Sequence, residues 1–226
     1  RLQSLNARLL TTACRQGMGP FDFLQLLGGQ SGLIDWFRFR TELLTRNLKR
    51  FHREVHRAAG PDIIFGTDTH PASLSLFVGH NHADWAEFSD FASPLVSHIP
   101  AFVVNTLIVW ARFLQEANPG LRETDALSII YRLVGYDGLG LPDTIDAYHL
   151  DDQDRLFRSI PVKDLVMQDL IKARLYLPTE IPSYPIIHGE GWPREAILGI
   201  MTGAEEVGHD GLIFQGTREL VDFEIT

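Results

Sequence analysis

Cysteine is almost absent. Cys14 stands alone, so no internal disulfide framework can form, and the compartment of the protein is left open. Beside Arg15 it could be a reactive thiol, although a buried, inert cysteine is the commoner case. Long apolar runs are missing as well. The most apolar segment, Ala101 to Trp110, is interrupted by Asn105 and Thr106 and followed by Arg112. It is too short to span a bilayer and reads as a core helix. Basic clusters are also lacking: 20 Lys and Arg stand against 29 Asp and Glu, a net charge of −9, which argues against a nucleic-acid partner.

Several catalytic signatures are missing too. No G-x-S-x-G occurs, no G-x-G-x-x-G follows a strand, and no G-x-x-x-x-G-K is present. Nucleophile-elbow serine chemistry and the common nucleotide cradles therefore drop out, and no cofactor is expected. Gly135 to Gly140 is glycine-rich but follows a helical pattern, which makes a poor phosphate loop. No repeat of fixed period and no low-complexity linker breaks the chain, so residues 1–226 are expected to form one domain. The chain opens at Arg1 inside a helical pattern, with neither Met nor a secretory signal, and is expected to be a piece of something larger.

What remains is an ordinary globular composition, 45% hydrophobic and 22% charged, with strong local patterns. Residues 1–12 and Phe21 to Leu27 read as helical pieces. From Gly32, Leu33, Phe37, Leu44, Leu48, Phe51 and Val55 make one helical stripe opposite Arg38, Lys49, Arg50 and Arg53, and Gly60-Pro61 stops it. Asp62 to Gly66 reads as a buried strand feeding the loop Thr67-Asp68-Thr69-His70-Pro71. A helix from Trp85 to about Phe91 and a strand from Pro94 to His98 follow. Helices are predicted over Ala101 to Gln115, residues 121–134 and Pro161 to Leu175, with irregular structure between Gly135 and Asp154. Tyr184 to Ile187 reads as a strand, Pro193 to Val207 as a helix capped by Gly208, and Gly211 to Gln215 as a last strand. Short apolar strands alternating with amphipathic helices predict a parallel α/β fold.

Candidate chemistry gathers where strands end. Asp68 follows the Ile63 strand, and His188-Gly189-Glu190-Gly191-Trp192 follows the Tyr184 strand. In a barrel of alternating strands and helices both would face one cup. Glycoside hydrolysis needs two carboxyl groups across the scissile bond, and Trp192 could offer a face to a sugar ring or simply pack over the following helix. Asp68, His80 and His82, with His188, form a possible zinc-type set for a metal-dependent hydrolase. However, polar loop histidines are the commoner explanation, and the leading expectation includes no metal.

Two stretches carry a resemblance. Asp35-Trp-Phe-Arg-Phe-Arg40, opening a long helix, resembles the Phe-x-Phe-Arg helix of certain glycoside-hydrolase-like barrel proteins. Phe65-Gly-Thr-Asp-Thr-His-Pro-Ala-Ser-Leu-Ser-Leu-Phe-Val-Gly-His80 resembles the strand and loop that follow it there, and Cys14-Arg15 is similar to their cysteine-bearing insert. The resemblance implies the second half of a (β/α)8 TIM barrel, starting after the fourth strand, with an irregular insertion around residues 118–160. It implies a carbohydrate-active, glycosidase-like protein in which Glu190, at the end of strand seven, is the nucleophile or principal carboxylate. The acid/base partner would then lie upstream of Arg1. Asp68, His70, His188 and Trp192 would contact sugar, and Arg40 would be structural. The alternative is a non-catalytic glycan-binding barrel. Half a barrel would expose two sheet edges, which leaves room for association of copies.

Overall fold

The computed structural model describes residue 28, residues 31–188 and residues 191–215. The helical readings before Gly28, Cys14, and the pair Gly189 and Glu190 lie outside the described residues. The rest falls into two compact units, residues 32–98 with 166–215, and residues 99–165.

The first unit carries the strands. Helix α1 (Ser31–Ala59) forms where the periodicity predicts. It stops at Gly60, whose φ of 100° suits glycine and whose N–H reaches the His56 carbonyl at 2.9 Å. Leu33, Phe37, Leu44, Leu48 and Val55 are half-buried as expected, but Phe51 is exposed. Leu48 packs on a core of Trp85, Phe88, Ala92, Leu177 and Ile181. Lys49, read as a solvent residue, instead joins a polar stripe on the inner face. Thr45 donates to Asp84 at 3.0 Å, Lys49 pairs with Glu87, and His52 and His56 face Asp90. Steps of three and four on α1 are thus met by acids spaced three apart. Arg40 lies over the Trp36 ring, 4.7 Å from its centroid.

Strand β1 is Gly66–Thr69 and β2 is Phe91–Pro94, parallel, with Gly66 opposite Phe91 and Asp68 opposite Ser93. The predicted strand over Ile63 and Ile64 is displaced: both residues are exposed, and pairing begins only where the β-branched Thr67 and Thr69 supply strand-forming side chains. Gly66 has no room for a side chain, since a Cβ there would sit 1.9 Å from the Phe91 ring. Asp90 sets this register, taking the Phe65 N–H on its carboxylate at 2.7 Å and giving its own N–H to the Phe65 carbonyl at 2.8 Å.

Strand β3 (Ile186–His188) pairs in parallel with β4 (Ile213–Gln215), placing His188 opposite Gln215. Isolated parallel bridges, Ala92 to Ser183 and Leu95 to Ile186, set β2 beside the β3 chain. Asp210 repeats the device of Asp90 at the start of β3, taking the Ser183 N–H at 2.8 Å.

The second unit, residues 99–165, is helical. A π turn at Ile99–Val103 leads into α2 (Val104–Ala117), which packs on α3 (Glu123–Val134), and Leu107, Ile108, Leu127 and Ile130 of the two helices are buried. Glu123 accepts the Ile145 N–H at 2.8 Å, and Tyr131 donates to the Pro142 carbonyl at 2.7 Å, so the irregular stretch is pinned rather than loose. Helix α4 (Gln153–Ser159), absent from the sequence reading, is capped by Asp152, which accepts from the Arg155 N–H at 3.1 Å. Helix α5 (Val162–Tyr176) leads out of this unit. Helix α6 (Arg194–Val207), between β3 and β4, ends at Gly208 with φ 92° as predicted.

These observations overturn the TIM-barrel expectation. The described residues hold two small two-stranded parallel sheets and no closed barrel; helix dominates. Closing a barrel needs every strand paired on both sides. The crossover from β1 to β2 has only short 3-10 turns in place of a barrel helix, and residues 99–165 add no strand to the sheets. Among the described residues, no helix is long and apolar enough to cross a membrane.

Candidate functional site

Parallel strands present their carboxyl ends as one edge, where ligands of α/β sheets gather. The sequence furnishes that edge with polar side chains. On β1, side chains alternate, so Asp68 and His70 share one face while Thr69 turns inward and is buried. Asp68 is exposed, yet enough protein surrounds its carboxyl for desolvation to raise its pKa.

His70 is half-buried, with its pKa lowered by burial. Its backbone N–H donates to Nδ1 of His80 at 2.9 Å. A backbone N–H can only donate, so Nδ1 of His80 carries the lone pair and the ring is neutral with its proton on Nε2. His82 Nε2 meets the Thr69 hydroxyl at 3.1 Å. Both rings lie against buried Trp85, with centroids 5.1 Å and 5.8 Å away. Burial first, then the neighbouring histidines, pushes His80 and His82 down to about 4. These two are committed to the loop structure.

Ser97, just past β2, is buried and donates to Gln215 Oε1 at 3.1 Å, while its hydroxyl meets His98 Nδ1 at 2.8 Å. Gln215 is the register partner of His188. The ends of β2, β3 and β4 are therefore tied together by named contacts, and β1 lies on the far side of β2. With neighbouring strands about 4.8 Å apart, β1 and β3 stand roughly 10 Å from each other across β2.

His188 is half-buried at the end of β3. Trp192 is 5% exposed, so most of its ring is taken up in packing and little of its face is free for a sugar. Glu190 lies outside the described residues.

The sequence reading missed Ser97, His98 and Gln215 because each sat inside a stretch read for its apolar content. Their signal was a polar residue closing an apolar run. Nor do His80, His82, Asp68 and His188 emerge as a metal set. Among the described residues the group whose ligand atoms converge, within 4.8 Å of one another, is His52, His56 and Asp90, at the amino end of β2. Its signal was the i, i+4 pair of histidines on a helix.

Compared with protein-family models, curated proteins and solved structures, the chain matches none of them.

Proposed function

We propose that the chain is a carbohydrate-active, glycosidase-like protein whose ligand lies across the carboxyl ends of the four parallel strands. The observation carrying this reading is the polar edge itself. Asp68 lies within β1 and His70 follows it, Ser97 and His98 follow β2, His188 closes β3, and Gln215 closes β4, with Ser97 and Gln215 in contact at 3.1 Å. Such a set of short donors and acceptors suits the several hydroxyls of a sugar. Glu190, two residues beyond His188 in sequence, supplies the reacting carboxylate, and Asp68 and His70 orient hydroxyls.

The test is the turnover of a panel of activated aryl glycosides by the full chain and by Glu190→Gln. The amide keeps the shape of the carboxylate and loses its charge, so the rate should fall by several orders of magnitude. Wild-type-like turnover would sink the assignment.

A second reading is a glycan-binding protein without turnover. It draws on the fact that Asp68 is the acid the described residues place at these strand ends, whereas hydrolysis needs a pair. Saturable binding of a sugar with no hydrolysis of any aryl glycoside would favour it.

A further inference from the structure

Helix α1 has no fully buried residue; beside the apolar contact of Leu48 with the core, a polar stripe joins it to Asp84, Glu87 and Asp90. The end of that stripe has an arrangement that ordinary ion pairing does not explain. His52 and His56, one turn apart, bring their Nε2 atoms to 2.9 Å. Asp90 faces the same point, Oδ1 lying 3.8 Å from His52 Nε2 and Oδ2 3.7 Å from His56 Nε2. Those two distances are too long for hydrogen bonds. The carboxylate thus faces both rings without a direct hydrogen bond to either.

We propose that His52, His56 and Asp90 form a binding site for a divalent first-row transition-metal ion, zinc being the best match to two imidazoles and a carboxylate. An ion about 2.0–2.2 Å from each ligand in a tetrahedral arrangement sets ligand atoms roughly 3.3–3.5 Å apart. The two Nε2 atoms lie 2.9 Å apart and Oδ1 of Asp90 3.8 Å from that of His52, and one ligand atom from each of the three residues falls within 4.8 Å of the others, close enough to that value for small side-chain movements to close the shell.

The surroundings are those of a built site. Asp90 Oδ2 is held by the Phe65 N–H at 2.7 Å, which fixes the carboxylate and leaves Oδ1 free to coordinate. The Phe65 ring packs edge-on against His52 at 5.6 Å and limits its rotation. The two histidine side chains keep 25% and 22% of their surface open, room for an ion to enter and for water to complete its shell. Bound there, the ion staples the last turns of α1 to the start of β2. The site lies at the amino ends of the strands, so it is independent of the carbohydrate reading.

Calorimetric titration of untagged, chelator-stripped full chain with zinc tests this. One ion per chain with micromolar or tighter affinity is expected, together with a rise in Tm. His56→Asn and Asp90→Asn should each weaken binding by more than about 100-fold, since even outer partners of metal ligands contribute 10–100-fold. His149→Ala, a histidine in the other unit, should leave binding unchanged. His56→Asn keeps the bond from Phe65 to Asp90, so it stays informative if Asp90→Asn fails to fold. Cobalt should give the visible absorption of a low-coordinate site in wild type and lose it in His56→Asn. Millimolar wild-type affinity, or binding that survives in the His52→Asn/His56→Asn pair, would overturn the proposal.

Discussion

Acid should unfold this protein earlier than its carboxylates alone require, and His80 and His82 are the reason. Both rings are pushed from an ordinary 6.5 to about 4 in the folded chain, with burial as the first cause and neighbouring histidine charge as the second. Unfolding releases them to ordinary values. As pH falls below about 6.5, the unfolded chain takes up protons that the folded chain refuses, so stability rises with pH across the window from about 4 to 6.5. It is fully present above that window. A shift of this size corresponds to up to about 3 kcal/mol per histidine, and each contributes a slope of at most about 1.4 kcal/mol per pH unit.

The assay is urea unfolding followed by tryptophan fluorescence at pH 7.5, 6.5, 5.5 and 4.5 for wild type, His80→Asn and His82→Asn. Each variant should start from its own stability at pH 7.5 and lose less on acidification, its slope reduced by about one proton's worth. Carboxylates titrate alike in all three proteins and cancel in the comparison. Equal slopes in wild type and both variants would refute the reasoning.

Other substitutions probe the first unit. Asp169 is fully buried and accepts from the Ser73 N–H at 2.7 Å and its hydroxyl at 3.1 Å, while Lys172 donates to that hydroxyl at 2.7 Å. Asp169→Asn should cost about 2–4 kcal/mol in urea unfolding, and an unchanged midpoint would remove Asp169 as the anchor of the loop after β1. Burial lowers the Lys172 pKa and the Asp169 charge opposes that shift, so the same variant should depress it further, readable by NMR titration. Gly66→Ala drives a methyl into the Phe91 ring and should cost about 1–3 kcal/mol. Adding Phe91→Leu should return part of that loss, and strict additivity of the two changes would contradict the packing.

The legible parts of the fold were the long amphipathic helices. Helices α1 and α6 follow their apolar periods and stop at glycines that adopt positive φ, because a stripe repeated over several turns has few alternative readings. Short apolar runs proved ambiguous. Ile63 and Ile64 read as a strand but are exposed, and the strand lies in the Thr67-Asp68-Thr69 segment read as a loop. A four-residue strand is placed by its neighbours, here by Asp90 gripping Phe65 from 25 residues away. No local pattern announces that contact. The barrel was what the resemblance implied; the helices read over Ala101 to Gln115 and residues 121–134 are present, but no local pattern could reveal that the strands pair as two two-stranded sheets rather than close a barrel. Of the site, Asp68, His70 and His188 were legible as polar residues at strand ends. The link between Ser97 and Gln215 spans 118 residues and could be seen only in the folded chain. His52 and His56 were visible as a pair, but Asp90 completes them only through the tertiary packing of α1.

The most direct measurement on the proposed carbohydrate site is steady-state kinetics of the full chain with activated aryl glycosides, comparing wild type with Glu190→Gln, Asp68→Asn and His188→Ala. If Glu190 reacts while the other two hold sugar, Glu190→Gln should lose kcat by several orders of magnitude, and Asp68→Asn and His188→Ala should act mainly by raising KM. Wild-type kcat in Glu190→Gln, with KM unmoved in the other two, would place the ligand elsewhere.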